Sequence, residues 1–148
     1  MSEQRIAEGL PDWIKDHLTR YLESGGTDGH MYEIPDVGTF PCLLLTTTGR
    51  KSGLPLTLPL IYGKTDGAYC IIASKGGAPA HPAWYLNLEA DPAVHLQVAT
   101  EKFNATARLA QGEERQQLWD MMVGVYPPYT DYQAATDREI PVVVLEPA

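Results

Sequence analysis

Three strand-like runs crowd the first half of this chain: Cys42–Thr47, Leu56–Tyr62 and Ala68–Ala73, the last after a Thr65-Asp66-Gly67 turn. Each is apolar or β-branched, as strands require. Parallel neighbours need crossovers of a dozen or more residues, so runs this close are expected to pair antiparallel. Val94–Val98 and Phe103–Leu109 predict a second hairpin around Thr100-Glu101-Lys102, and Ile140–Leu145 is a continuous apolar run that implies burial on both faces. Two helical patterns, Ala83–Glu89 and Glu113–Val125, lie between and after these strands. About six mostly antiparallel strands with peripheral helices predict an α+β fold built on a small barrel.

At 148 residues the chain reads as one domain, 1–148, large enough to bury roughly 70% of its unfolded surface without staples. Cys42 and Cys70 sit in strand-like runs and read as reduced core thiols. Residues 1–9 are polar and expected to be flexible. Residues 10–24 read as an amphipathic helix, with Pro11 suited to its first turn and Trp13, Ile14, His17, Leu18, Tyr21 and Leu22 on one face; Ser24-Gly25-Gly26 ends it. The opposite face mixes Asp12, Asp16 and Glu23 with Lys15 and Arg20. That mixture lacks the basic excess that draws a helix to anionic lipid, so packing on the domain is expected over membrane contact. No run reaches the ~18 apolar residues of a membrane span, and the N-terminus shows no secretory pattern. A cytoplasmic protein is the expectation, with a peripheral membrane position as the alternative.

The formal charge is −8, from 11 Lys and Arg against 19 Asp and Glu. Such a balance argues against nucleic acid, whose binding rests on cations that neutralise phosphates. The charge is unevenly spread. Between Val37 and Leu88 stand Arg50, Lys51, Lys64 and Lys75 but only one acid, Asp66, a net of +3 that leaves −11 for the remainder. A locally positive stretch in an acidic protein suits a small anionic ligand.

Several chemistries fall away. Gly63-Lys64-Thr65 resembles the end of a phosphate-binding loop, but the glycine required five positions earlier is Leu58, so it reads as a strand-ending turn. The four histidines, His17, His30, His81 and His95, show no metal-ligand spacing, and no nucleophile elbow surrounds a serine. Glu113-Glu114 starts a helix, where carboxylates complement the dipole.

Two cationic loops remain. Thr46 to Gly53 runs from a polar strand end into the glycine-flanked turn of Arg50, Lys51 and Ser52, and Ser74-Lys75-Gly76-Gly77 repeats those ingredients after the third strand. Arg offers a planar fork to phosphate or carboxylate, Lys a mobile charge, and Gly a close backbone approach. If the second and third strands flank the first, both loops converge on one end of the barrel. A third cluster, Tyr126, Tyr129 and Tyr132, could wall a flat heteroaromatic ligand or fill a core.

These segments together, TTTGRKSG at Thr46–Gly53, SKGGAPAHPAWYLNL at Ser74–Leu88 and YPPYTDYQAATDREIPV at Tyr126–Val142, resemble the deazaflavin (F420)-dependent nitroreductase family, in matching order from about residue 30 onward. The resemblance implies an FMN-binding-type split β-barrel over residues 30–148 and the reduced coenzyme F420H2. It implies coenzyme contacts from Arg50, Lys51 and Ser52, from Pro59, Leu60 and Ile61 beside the ring, from Ser74, Lys75, Gly76 and Gly77, and from His81, Pro82, Trp84 and Asn87. Tyr126, Tyr129 and Tyr132 match the substrate side. The chain departs from the family pattern at Leu56, where Arg is common, at Ala80, where a polar residue is common, and at Leu86, where His is frequent.

The activity so implied is hydride transfer to a small electron-poor acceptor, a quinone, an activated alkene or a nitroaromatic. Tyr129, with Tyr126 or Ser74 assisting, is expected to orient or protonate it. No metal is expected. Two rivals are an FMN-dependent oxidoreductase on a similar barrel and a non-catalytic F420 carrier; a monomer and a homodimer are both compatible with the sequence.

Overall fold

The computed structural model of the chain describes residues 5–6, 12–34 and 36–148. In chain order the strands are β1 (Arg5–Ile6), β2 (Met31–Ile34), β3 (Gly38–Thr48), β4 (Pro55–Ile61), β5 (Gly63–Thr65), β6 (Ala68–Ile72), β7 (Ala93–Val98), β8 (Glu101–Leu109) and β9 (Val142–Pro147). The helices are α1 (Asp12–Glu23), α2 (Ala83–Ala90), α3 (Gly112–Val125) and α4 (Tyr129–Ala134). One curled sheet runs in the order β1-β4-β3-β7-β8-β9-β6-β5, with β2 added to β3. Every pairing is antiparallel except the short β1–β4 contact. Across the seam β4 approaches β6, giving the α+β split barrel expected from the sequence.

The barrel core is the inward row of Leu43, Leu45, Ile71, Leu96, Val143 and Leu145. The outer faces of β6 and β9 carry Cys70, Ile72, Val142 and Val144, which α3 and α4 cover with Leu118, Met122 and Tyr129. Thus Val142–Leu145 is buried on both faces, the physical reason for its unbroken apolar sequence. Cys42 and Cys70 are free and buried, and burial pushes both thiols up to about 12, so neither is a nucleophile.

Several expectations are corrected. β4 flanks β3, but β6 does not; β7 takes that side, and β6 pairs with β9. Gly63-Lys64-Thr65 is a strand, not a turn, paired with Ala68–Cys70 through the two-residue Asp66-Gly67 turn, whose positive φ values suit a twisted hairpin. The β7–β8 hairpin turns at Ala99-Thr100, one residue earlier than read. Arg5 and Ile6 pair with Leu56 and Thr57, although residues 1–9 read as flexible. Pro11 and the rest of that segment lie outside the described residues.

Helix α1 packs against the sheet through Leu18, Tyr21 and Leu44, leaving Trp13 54% exposed. The Tyr21 hydroxyl is the main bolt. Its proton is shared between the carbonyls of Cys42 (3.0 Å) and Gln97 (3.3 Å), and its oxygen accepts the Ala99 N–H (2.7 Å). Downstream, Gly26 has φ +96, and a Cβ there would overlap the Ala99 carbonyl. Tyr21→Phe leaves buried backbone groups on β3 and β7 unpaired; it should lower unfolding free energy by ~1–3 kcal/mol in urea titration, and a change under a few tenths would dismiss the bolt.

Candidate functional site

Going from β3 to β6 crosses the sheet by four antiparallel pairings, so both strands run in one direction and their following loops leave the same end of the barrel. The convergence anticipated from the sequence holds, through a different strand order. The first loop is self-closed: the Gly49 N–H bonds Leu54 O (2.8 Å), the Gly53 N–H bonds Gly49 O (2.8 Å), and Ser52 Oγ accepts the Leu54 N–H (3.2 Å). Ser52 therefore shapes the turn, while Lys51 stands exposed at its tip.

Arg50 ties this turn to α2. Its backbone N–H and Nη1 both donate to Asn87 Oδ1, at 3.2 and 2.8 Å, and Asn87 Nδ2 donates to Thr47 Oγ1 at 3.4 Å. Asn87 is 3% exposed, so its amide braces the cationic turn from behind. Nη1 of the exposed Arg50 also donates to the Ala83 carbonyl at the start of α2, at 3.5 Å.

The second loop is pinned from below. Lys75–Gly77 forms one 3₁₀ turn with Lys75 at φ +47 and Gly77 at φ +81. A Cβ at Gly77 would stand 2.7 Å from Tyr132 O, so only glycine lets the loop lie on α4. Arg138 donates to Ser74 O (2.7 Å), Ala78 O (2.8 Å), Ala73 O (3.3 Å) and His81 Nδ1 (3.0 Å). His81 in turn packs on Tyr85, ring centroids 4.9 Å apart. Pro82 precedes α2 in extended conformation, and Trp84 and Tyr85 are buried core residues.

On the side of α4, Tyr126 Oη and Tyr132 Oη lie 3.0 Å apart. Tyr129 sits edge-on to both rings, at 4.9 and 6.2 Å between centroids, and is 4% exposed. Burial raises the phenols of Tyr126 and Tyr129 well above the ordinary range, so both stay protonated at any physiological pH. Phe40 closes the cluster on the barrel side, 4.9 Å from Tyr126.

Between these features runs β4. Of its residues only Thr57 is buried; Leu56, Leu58, Pro59, Leu60 and Ile61 are all half-exposed, unlike the buried β3 beside it. An apolar strip left open in the middle of a fold marks a ligand surface. The structure thus gathers Arg50, Lys51, Ser74, Lys75, Gly76, Gly77, His81 and Pro82 at one end, with the tyrosines beside the second loop, while Trp84 belongs to the core. Arg138 was missed. It lies between two acids, Asp137 and Glu139, and only its bonds to the loop reveal it.

The architecture belongs to the split-barrel class: a heme-binding protein from Mycobacterium smegmatis, 18% identical, shares the fold with a TM-score of 0.58 over 72% of this chain and 46% of that one. Closer likeness is more specific. The profile of the F420H(2)-dependent quinone reductases matches residues 13–147. The F420H(2)-dependent quinone reductase Rv1261c of Mycobacterium tuberculosis is 44% identical over 135 residues, 89% of this chain and 88% of the relative. A solved F420-H2 dependent reductase is 47% identical with a TM-score of 0.67, covering 72% of this chain and 94% of that one, and a structure described as a domain-swapped dimer is 43% identical with a TM-score of 0.70, covering 91% and 98%. The chain belongs to the F420H(2)-dependent quinone reductase family, which makes it an oxidoreductase whose coenzyme is F420.

Asn87→Ala strips Arg50 of its brace and leaves Thr47 unpaired. Stability should fall by ~1–3 kcal/mol in chemical denaturation, with amide exchange quickened at residues 49–54; an unchanged exchange pattern there would show that the turn holds itself.

Proposed function

We propose that this enzyme passes a hydride from F420H2 to a small quinone, with activated alkenes and nitroaromatics as further acceptors, at the end of the barrel where the two cationic loops meet. One observation carries the site: an open apolar strip on β4 starts from the end of the barrel where two exposed ammonium groups, Lys51 and Lys75, stand, in an otherwise acidic protein. Those residues fit a flat ring system with an anionic tail. When bound, the coenzyme supplies the hydride. The strip of Pro59, Leu60 and Ile61 offers the ring an apolar bed, Lys51 and Lys75 hold the anion, Arg50 and Ser52 keep the first turn in shape, and Ser74 to Gly77 form the second wall with His81 and Pro82 beside it. Asn87 and Trp84 act from within the scaffold.

On the acceptor side a phenol pair can share one proton internally and offer the other outward. Tyr132 is half-buried and Tyr126 is bonded to it, so this pair is placed to orient or protonate an acceptor oxygen. Tyr129, the first choice from the sequence, is deep in the cluster and serves as its wall. The packing of α1 on β3 supports one domain without a membrane role for that helix, and the domain-swapped relative supports a homodimer over a monomer.

The test is fluorescence titration with F420 and with FMN, followed by F420H2 oxidation in the presence of a quinone, an enone and a nitroaromatic. F420 should bind in preference to FMN and the quinone should be turned over; binding without turnover of any acceptor would leave a carrier. Lys51→Ala and Lys75→Ala should each weaken F420 by ~1–3 kcal/mol, the scale of a charge-assisted hydrogen bond. Tyr132→Phe should slow turnover about a hundredfold, the low end of general-acid contributions, with coenzyme affinity unchanged; equal rates would transfer the proton to solvent.

A further inference from the structure

Arg138 is a cation without an anion. Among the described residues it makes no salt bridge, and its guanidinium is spent on the carbonyls of Ala73, Ser74 and Ala78 and on His81. Side chains held this way are unusual, since a half-buried guanidinium ordinarily finds a carboxylate. Burial lowers its pKa, yet an arginine stays charged in any protein.

The contacts have two consequences. Three carbonyls of one short loop all turn toward the guanidinium, so the loop's outer side is left to donors: the Ser74 and Lys75 N–H groups have no acceptor among the described residues, and Lys75 points into solvent. Concave sets of free N–H groups bind anions. Second, a guanidinium donates and never accepts. The nitrogen 3.0 Å from it, His81 Nδ1, must therefore carry its lone pair, so a neutral His81 bears its proton on Nε2, where it becomes a fixed donor.

We propose that Arg138 is a positioning residue for the coenzyme, folding the loop from Ala73 to Ala78 so that its N–H groups face the anionic part of F420, and fixing His81 as an Nε2–H donor toward the same ligand. The proposal rests on the coenzyme assignment above. It assigns to the C-terminal third of the chain a charge that serves a site built from the middle.

Three measurements test it. Imidazole nitrogen spectra of the labelled, coenzyme-free wild type should show His81 as the Nε2–H tautomer; an Nδ1–H tautomer overturns the proposal. Arg138→Lys keeps the charge but cannot span three carbonyls. It should weaken F420 about tenfold or more, release the His81 tautomer, and leave kcat at saturating coenzyme within about twofold; wild-type affinity, or a loss in kcat alone, overturns it. His81→Phe keeps the ring packing on Tyr85 and the carbonyl contacts, so it answers even if Arg138→Lys does not fold: F420 affinity should fall, and affinity equal to the wild type's overturns the proposal. Wild-type protein that binds no F420 would instead defeat the coenzyme assignment, while its His81 spectrum would still report the Arg138 contact.

Discussion

An antiparallel ladder reverses direction at each step, and four steps separate β3 from β6. An even number restores the direction. The turn after β3 and the loop after β6 must then open at the same end of the barrel, whatever their sequence, and the end at which the site is proposed follows from that parity. Asn87 and Arg138 then hold the two loops in place. One braces the first loop against α2, the other draws the second loop onto the segment that follows α4. Neither touches solvent fully, and both work through backbone atoms or through another side chain.

The charge distribution is sharpened by the fold. Four cations and one acid between Val37 and Leu88 imply a positive patch, but Lys64 is not part of it. Its ammonium lies over the ring of Tyr69, 5.6 Å from the centroid, on the β5–β6 hairpin at the other end of β6. Arg138 takes its place from outside the window. The number of cations is therefore preserved while its membership changes, and the patch stays thin, because Leu56 and Ala80 add no charge.

Much of the architecture is legible because strands write themselves in period-two and continuous apolar patterns. All six long strands and three helices stand within a few residues of where the pattern puts them. What escaped is informative. β2, β5 and α4 are short, and a three-residue strand such as Gly63–Thr65 has too few positions to show a period; it forms by pairing with β6, and its Gly63 lies so close to α3 that a Cβ there would press on the Met121 and Met122 side chains. Strand order escaped because adjacency is set by long-range pairing. The roles of Asn87 and Ser52 were legible only as membership in motifs. Which side chain faces a ligand and which braces the one that does is decided by hydrogen bonds between residues dozens of positions apart.

The open strip on β4 raises a different question: what limits strand addition at an apolar edge half exposed at the seam. Among the described residues its outer edge is covered by β1 only at Leu56 and Thr57, so the stretch from Leu58 to Ile61 faces the seam. Proline answers part of this. Pro55 and Pro59 lack the N–H that a further strand would need, and edge strands are the place where such residues are tolerated. The β3–β4 register survives, with Pro59 opposite Leu44. An edge covered by β1 at one end and short of two N–H donors is poorly suited to a further peptide, so the same prolines that shield the barrel from its neighbours suit the seam to the planar ring proposed for it.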